Sequence, residues 1–196
     1  MKPISLKSIF SHNFLLLIVF YLLIYSVSAQ PSQSDELRTK LLSKDRDYVF
    51  VIAHRADWRN APENSIEAIE SAIAMGVDMI EIDVRKTKDN QLVIIHDKTL
   101  DRTTDGSGYI SDWTLDSLKT LHLRNGQGRV TGFTIPTLKE ALMAAKGKVL
   151  INLDKSYDHF DQAYQISRIQ VISAKLVFDL FYVRIPAQVI ESYIFS

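Results

Sequence analysis

The chain has 196 residues, of which 46% are hydrophobic and 23% charged, a composition that suits one globular domain with a sizeable core. Its 23 basic and 23 acidic side chains balance, so the sequence lacks the excess of positive charge that is typical of nucleic-acid-binding proteins. It has no cysteine, which excludes disulfides and thiolate metal sites and leaves oxygen or imidazole ligands for any metal.

The first predicted element is the apolar run FLLLIVFYLLIYSV, which follows two lysines and leads into the tripeptide VSA. A basic start, an apolar centre and a small-x-small end are typical of a secretory signal peptide. The run is shorter than the roughly 20 residues that a spanning helix needs, so no stable membrane span is expected. We therefore predict a signal peptide over 1–29, cleavage after Ala29, and a secreted or periplasmic protein.

Residues 30–47 form a polar leader that becomes a short helix, and strands and helices then alternate over 48–167. β-branched runs predict the strands, and apolar residues at helical spacing between a polar start and a glycine predict the helices. The predicted strands are 48–54, 78–84, 92–97 and 148–154, and the predicted helices are 64–76, 134–147 and one that begins at 158. Such alternation implies a parallel sheet covered by helices, either an open doubly wound sheet or a barrel. In both architectures function lies at the carboxyl ends of the strands.

Each predicted strand ends in ionisable residues: His54-Arg55, Glu81 and Asp83, His96-Asp97, and Asp154-Lys155. Side chains two apart on a strand point to one face, so Glu81 and Asp83 project together and repel each other unless a cation lies between them. Carboxylate oxygens predict a hard ion, Ca²⁺ or Mg²⁺. The alternative is a pair of solvated acids on an edge strand.

His54 and His96 end different strands at the same predicted edge. Histidine takes or gives a proton near neutral pH, so one histidine on each side of a substrate can supply a general base and a general acid. The planar fork of Arg55 matches a pair of phosphate oxygens. A metal, an arginine and two histidines together indicate phosphodiester chemistry.

The motifs HR, PEN, EIDV and HD, in this order over about residues 48–165, resemble those of the glycerophosphodiester phosphodiesterase family, which is similar in fold and mechanism to phosphatidylinositol-specific phospholipase C. The resemblance implies a (β/α)8 TIM-type barrel that uses one divalent metal, Ca²⁺ or Mg²⁺. It also implies a small-molecule substrate, a glycerophosphodiester, cleaved to an alcohol and glycerol 3-phosphate. By the same resemblance the site residues are the general base His54, the general acid His96, the substrate-binding residues Arg55 and Glu63, and the metal ligands Glu81, Asp83 and Asp154.

Two local features depart from the family pattern. Ala56 stands where the family has glycine after His-Arg, which costs stability if its φ is positive. Asp154 stands where the family has the glutamate of a Glu-x-Lys motif, and Lys155 follows it directly. Since side chains alternate along a strand, Lys155 is predicted to turn away from the face of Asp154 unless a bulge re-aims it.

The length is a third departure, because a barrel of this type takes about 250 residues. After residue 167 the sequence has no glycine, and the alternating sequence patterns of helix, loop and strand stop. We expect a barrel truncated to about its first half over 48–167, followed by an atypical tail, 168–196, that arises from a frameshift or truncation. The alternative is a genuine C-terminus that covers the open edge or pairs two chains.

Three functions remain open from the sequence. The first is a secreted, metal-dependent glycerophosphodiester phosphodiesterase, and the second is a phospholipase of the same superfamily that acts on intact lipid. The third is a non-catalytic remnant that binds phosphate or metal. Because catalysis needs positions held to a fraction of an ångström, we expect a half barrel to have weak or no activity. The sequence indicates neither the leaving alcohol nor an oligomeric state.

Overall fold

The computed structural model describes residues 31–43, 47–170 and 176–178, together with Leu17. The chain divides into two units, Met1–Ser32 and Gln33–Ser196, and every element discussed below lies in the second unit. Apart from Leu17, the predicted signal peptide lies outside the described residues. Among the residues that are described, no helix combines the length and the apolar character needed to cross a membrane.

The second unit contains five helices and seven strands within its described residues. The helices are α1 (Gln33–Ser43), α2 (Ile66–Ala74), α3 (Leu115–Leu118), α4 (Leu138–Ala145) and α5 (Phe160–Gln170). The strands are β1 (Ile52–His54), β2 (Met79–Lys86), β3 (Leu92–Ile94), β4 (His122–Arg124), β5 (Val130–Thr134), β6 (Leu150–Asp154) and β7 (Leu176–Phe178). Two 3₁₀ turns, Ile110–Asp112 and Tyr157–His159, precede α3 and α5.

The centre of this unit is a parallel sheet with the strand order β1-β2-β6-β7. The sheet confirms the predicted parallel arrangement for three of the four predicted strands. β1 is shorter than predicted because it pairs only with the first three residues of β2, and Val49 and Val51 before it are exposed. β7 lies in the segment predicted to be an atypical tail, and its backbone adds a parallel strand beside β6. Most of that tail lies outside the described residues, so its origin stays a prediction.

The expectation that 92–97 forms another parallel strand is wrong. β3 runs antiparallel to the end of β2, with Val84 opposite Ile94 and Lys86 opposite Leu92. The short turn between the strands explains this, since a hairpin needs only a few residues whereas a parallel crossover needs a dozen or more. The reversal brings the chain back to the sheet edge, where the Ile95 N–H donates to the Asp83 carbonyl at 2.9 Å.

Helices α2 and α4 cover the sheet, as their periodicity predicts. The Ser65 hydroxyl accepts from the Ala68 N–H at 3.0 Å, which caps the start of α2. Thr137 and Glu140 form a reciprocal capping box at the start of α4. The buried faces of both helices pack against the sheet in one hydrophobic cluster, the first core, which includes Ile69, Ile82 and Leu142.

A separate second core lies under residues 95–135, which we call the lobe. Its buried members are Val93, Ile95, Leu100, Ile110, Leu118, Leu123 and Ile135. The lobe contains α3 and the antiparallel hairpin β4–β5. Successive residues of β3 alternate between the two cores, so this strand joins the lobe to the sheet.

Candidate active site and metal centre

Three carboxylates meet at the carboxyl edge of the parallel sheet. Glu81 and Asp83 lie on β2, and the pairing of β2 with β6 places Asp83 opposite Asp154. One oxygen from each of the three side chains lies within 4.8 Å of the others. Glu81 is 8% exposed and Asp83 is fully buried. The residues predicted as metal ligands therefore converge, through backbone register, on a single point.

The electrostatics of this cluster favour a bound cation. Burial, together with the charge of Asp83 and a smaller contribution from Asp154, raises the pKa of Glu81 to about 7. The Arg55 N–H opposes this shift by donating to Glu81 Oε2 at 2.9 Å. Carboxylate oxygens are ligands that Ca²⁺ and Mg²⁺ prefer, so the donor set fits a hard divalent ion.

Asn64 fixes the position of Asp83. Its amide donates to Asp83 Oδ2 at 2.8 Å, and its side-chain oxygen accepts from the Asp83 N–H at 3.1 Å. Asn64 has φ +60°, a left-handed conformation that asparagine adopts more readily than most residues. Sequence reasoning singled out the PEN motif but missed this role of its asparagine.

Lys155 points into the cluster, so the prediction that it turns away from Asp154 is wrong. Its ammonium contacts Asp83 Oδ1 and donates to Asp154 Oδ2 at 2.7 Å. The reason is a φ of +57° at Lys155, which breaks the strand alternation directly after β6. Burial alone would lower the pKa of Lys155, but the hydrogen bonds from its ammonium to Asp154 and Asp83 raise it. A fixed positive charge therefore lies between two of the three candidate ligands.

The two predicted catalytic histidines lie on chain segments that pair with β2. His54 ends β1, its side chain is 67% exposed, and its Nε2 lies 3.9 Å from Glu81 Oε2. His96 arrives on the returning chain after β3, and its Nδ1 lies 2.6 Å from Asp97 Oδ1. Arg85 anchors the backbone of His96 by donating two hydrogen bonds to its carbonyl. Both histidines thus lie on segments whose backbone pairs with the strand that carries Glu81 and Asp83.

Arg55 faces both the acidic cluster and Glu63. Its Nη1 donates to Glu63 Oε1 at 3.1 Å, and its Nε lies 4.0 Å from Asp83 Oδ2. That Nε is buried and makes no hydrogen bond to any described residue. Arg55 has φ +56° and Ala56 has φ +59°, so the cost expected for alanine at a glycine position applies here.

Glu63 connects Arg55 to a second arginine, Arg102, that sequence reasoning missed. Arg102 Nη1 and Nη2 each donate to a Glu63 oxygen at 2.8 Å, and Arg102 also donates to both Asp97 oxygens. Burial alone would raise the pKa of Glu63, but hydrogen bonds and charge from Arg102 and Arg55 lower it. The Arg102 hydrogen bond, followed by that of His96, likewise holds the pKa of Asp97 well below its usual range. The only sequence signal was the position of Arg102, five residues after the HD motif.

Comparison with known proteins agrees with this geometry. The model of the glycerophosphoryl diester phosphodiesterase family matches residues 54–190. A glycerophosphodiester phosphodiesterase of Caldanaerobacter subterraneus subsp. tengcongensis is 46% identical over 108 residues, which cover 54% of this chain and 44% of that protein. Glycerophosphodiester phosphodiesterase 1 of Mus musculus is 40% identical over 128 residues, which cover 62% of this chain and 37% of that protein.

Solved structures are similar to about two thirds of the chain. A glycerophosphoryl diester phosphodiesterase from Parabacteroides distasonis matches with a TM-score of 0.61 and 33% identity, over 68% of this chain and 47% of that one. An Oleispira antarctica phosphodiesterase, solved in complex with the product sn-glycerol-3-phosphate, matches with a TM-score of 0.56 and 31% identity, over 66% of this chain and 56% of that one.

These neighbours are TIM-barrel proteins, which confirms the predicted fold class. The chain spans about half the length of the curated relatives that it matches. The family model covers well over half of the chain and includes part of the segment after residue 167. The chain belongs to the glycerophosphoryl diester phosphodiesterase family.

Proposed function

We propose that this protein hydrolyses glycerophosphodiesters to an alcohol and glycerol 3-phosphate. The observation that carries the proposal is the convergence of Glu81, Asp83 and Asp154 to within 4.8 Å at a sheet edge that two histidines adjoin. The names of the relatives support the same activity, and one structural neighbour was solved with sn-glycerol-3-phosphate as its product.

We propose Glu81, Asp83 and Asp154 as the ligands of one divalent cation, Ca²⁺ or Mg²⁺. When bound, such an ion would act as a Lewis acid that stabilises negative charge on the phosphate oxygens. Lys155 adds a fixed positive charge at the same place, since its ammonium lies on Asp83 and Asp154. The side chain of Arg55 is 21% exposed, and its planar guanidinium suits a pair of phosphate oxygens.

The two histidines divide the proton transfers. His54, exposed and adjacent to Glu81, takes the proton of the glycerol 2-hydroxyl as its oxygen attacks phosphorus. His96 gives a proton to the departing alkoxide, and the cyclic phosphate that remains is opened by water. The carboxylate of Asp97 holds Nδ1 of the His96 ring at 2.6 Å, which leaves Nε2 as the nitrogen that donates the proton.

The test is the release of glycerol 3-phosphate from soluble glycerophosphodiesters by the purified chain. Because the chain spans about half the length of its curated relatives, we expect weak release, which chelation abolishes and added Ca²⁺ or Mg²⁺ restores. His54→Ala and His96→Ala should each remove most of it, whereas His122→Ala, at an exposed histidine of the lobe, serves as the matched control. Activity retained in both test variants would exclude the proposed roles, and faster hydrolysis of phospholipid vesicles than of soluble diesters would favour a lipid substrate instead.

We also propose that the protein is exported by a signal peptide over 1–29. The support is the sequence alone: a basic start, an apolar run and a small-x-small tripeptide. N-terminal sequencing of the protein from culture medium or periplasm should begin at Gln30. A cell-associated chain that still begins at Met1 would contradict this proposal.

A further inference from the structure

Lys155 hydrogen-bonds to two of the three carboxylates that we propose as metal ligands. Its ammonium contacts Asp83 Oδ1 and donates to Asp154 Oδ2 at 2.7 Å, and its backbone N–H donates to Asp154 Oδ1 at 2.7 Å. Asp83 Oδ2 accepts from the Asn64 amide at 2.8 Å. All four oxygens of the two aspartates therefore already accept hydrogen bonds from the protein.

The ammonium lies on the same side chains that a divalent ion would need. One oxygen each of Glu81, Asp83 and Asp154 lies within 4.8 Å of the others, and Ca²⁺ or Mg²⁺ binds carboxylate oxygens at about 2.0 to 2.6 Å. An ion bound to these oxygens would therefore lie only a few ångströms from Lys155 Nζ. Because Asp83 is fully buried and Glu81 is 8% exposed, water screens the repulsion between two such cations poorly.

The side chain of Lys155 can leave these oxygens while its backbone stays in place. The side chain is 23% exposed and carries its ammonium on a flexible stem. The backbone is held by its N–H bond to Asp154 Oδ1 and has a left-handed φ of +57°. Movement of the stem alone can therefore release Asp83 Oδ1 and Asp154 Oδ2 without a change in β6, and the positive charge stays at the site.

Arg55 also faces the cluster, but it does not lie on the same oxygens as closely. Its Nη1 donates to Glu63 Oε1 at 3.1 Å, and its Nε is 4.0 Å from Asp83 Oδ2. Its link to Glu81 is a backbone N–H and carries no charge. Among the described residues, Lys155 therefore has the side chain that meets a bound ion most directly.

We propose that Lys155 is an internal competitor of the divalent ion: the ammonium and the ion share Asp83 and Asp154, and binding of the ion moves the ammonium off one or both carboxylates. The competition rests on the proposed metal site and assigns to one residue the setting of that site's affinity. The ammonium neutralises part of the charge that attracts the ion, so the affinity is lower than that of the three carboxylates alone. The same ammonium reduces the repulsion between the two aspartates.

Lys155→Met tests the competition directly, because it keeps an unbranched side chain and removes the charge. Ca²⁺ and Mg²⁺ are titrated separately into the chelator-treated full chain, and calorimetry gives each Kd. We expect the variant to bind both ions about tenfold or more tightly than the parent, since a charge in contact with the ligands is gone. The matched control is Lys148→Met, before the start of β6, where the ammonium donates to the Ala144 carbonyl. It should bind both ions as the parent does.

Thermal unfolding separates competition from a structural role. In chelator, Lys155→Met should unfold at a lower temperature than the parent, because the buried carboxylate of Asp83 loses its ammonium. Saturating Ca²⁺ should raise the Tm of Lys155→Met by more than that of the parent, since the ion binds it more tightly. Lys155→Arg keeps the charge and should bind the ion no more tightly than the parent. A lysine that only shaped the chain after β6 would lower the Tm equally with and without the ion and would not tighten binding.

Amine labelling of the unmodified chain keeps the proposal testable if Lys155→Met does not fold. Trace acetylation followed by peptide mass spectrometry compares the reaction rate of each lysine in Ca²⁺ and in chelator. We expect Lys155 to react several-fold faster in Ca²⁺, because the ion frees its ammonium, whereas Lys148 should not change. Equal or slower labelling of Lys155 in Ca²⁺, or a Lys155→Met variant that binds both ions no more tightly than the parent, would overturn the proposal.

Hydrolysis of a soluble glycerophosphodiester by the same chains distinguishes the competition from the proposed function. If Lys155→Met binds the ions more tightly but the parent cleaves no diester at saturating ion, the hydrolase function fails and the competition stands. If the parent cleaves the diester and both chains bind the ions equally, the function stands and the competition is excluded. Absence of ion binding in both chains would exclude the competition, whatever the result of the hydrolysis assay.

Discussion

The carboxyl edge of the sheet and the lobe both supply charged groups to the candidate site, but they fix those groups by different means. Glu81, Asp83 and Asp154 are carried on β2 and β6, whose continuous register places them with no freedom beyond a few side-chain torsions. Arg102 comes from the lobe, which has its own core. It reaches Glu63 and Asp97 through a long side chain. The sheet therefore determines where the candidate metal ligands lie, and the lobe supplies the guanidinium that pairs with Glu63 and Asp97.

The acids of the two regions are in opposite electrostatic environments. At the sheet edge, burial and neighbouring carboxylates raise the pKa of Glu81 to about 7, so its charge is disfavoured until a cation binds. Facing the lobe, arginine holds the pKa of Glu63 and of Asp97 below the ordinary values. Glu81, Asp83 and Asp154 thus need a positive charge that the described protein supplies only in part, through Lys155. Glu63 and Asp97 are already paired with arginine.

The largest effect is expected at the sheet edge, from Glu81→Gln. Loss of one candidate ligand should reduce metal-dependent hydrolysis by about 10² to 10³-fold, the usual cost of removing one electrostatic contact to the reacting group. In the metal-free protein the same change should increase the free energy of unfolding at pH 8, where Glu81 is ionised beside Asp83. The measurements are glycerol 3-phosphate release with metal and urea unfolding in a chelator.

Glu70→Gln, at an exposed position on α2, is the control for that experiment and should change neither quantity. A Glu81→Gln variant that is both inactive and less stable than the parent at pH 8 would contradict the repulsion argued for this cluster.

A smaller effect is expected in the lobe, from Arg102→Met. The substitution leaves Glu63 and Asp97 without their shared guanidinium, so Arg55 and His96 lose part of their orientation. Outer groups of this kind typically contribute about 10 to 100-fold, and we expect about tenfold in kcat/KM with little change in metal affinity. Arg129→Met, in the exposed hairpin turn, is the matched control; a loss of metal binding in Arg102→Met would mean that the two regions are not separable.

The paired acids also predict acid sensitivity. Glu63 and Asp97 have folded-state pKa values below the ordinary 4.5 and 3.8, so the unfolded chain takes up protons first as the pH falls. Their stabilisation should be complete above about pH 5 and should be lost progressively below it. Urea unfolding between pH 6 and pH 3 should show this decline in the parent and a shallower one in Arg102→Met. Equal slopes would show that Arg102 does not stabilise these carboxylates.

The sequence was sufficient to predict those elements in which apolar residues recur at a regular spacing. Apolar periodicity predicted β2, β6 and the helices α2 and α4, because long buried faces impose a regular pattern. The direction of β3 was wrong, since strand polarity depends on the connection and not on the strand. The β4–β5 hairpin was missed because its strands are short and largely exposed, so no alternation marks them.

The candidate site, like the fold, was predictable only in part from the sequence. The carboxylates and histidines follow predicted strands, so their convergence followed from the topology. Asn64 and Lys155 were not foreseen, because each depends on a single left-handed residue that leaves no periodic trace in the sequence. Arg102 lies in the lobe, whose buried cluster is separate from that of the sheet, so no strand periodicity places this arginine.

The smallest effect is expected where the lobe meets the helix layer of the sheet, from Lys119→Met. Lys119 follows α3 and its ammonium lies 2.6 Å from Glu140 Oε2 at the start of α4. Glu140 also accepts from the Thr137 N–H in the capping box. Changing the lysine therefore removes only the ion pair and leaves the cap intact. An exposed pair of this kind contributes about 0.2 to 1 kcal/mol, and we expect a loss in that range.

Salt identifies the origin of that loss. Because exposed charges are screened within about 3 Å at 1 M ionic strength, the difference between parent and Lys119→Met in urea unfolding should largely vanish in 1 M NaCl. Lys139→Met, at an exposed position on the same helix as Glu140, should cost less at either salt concentration. A salt-independent loss above about 2 kcal/mol would mean that the lysine stem packs between the lobe and α4 and that the two regions unfold as one.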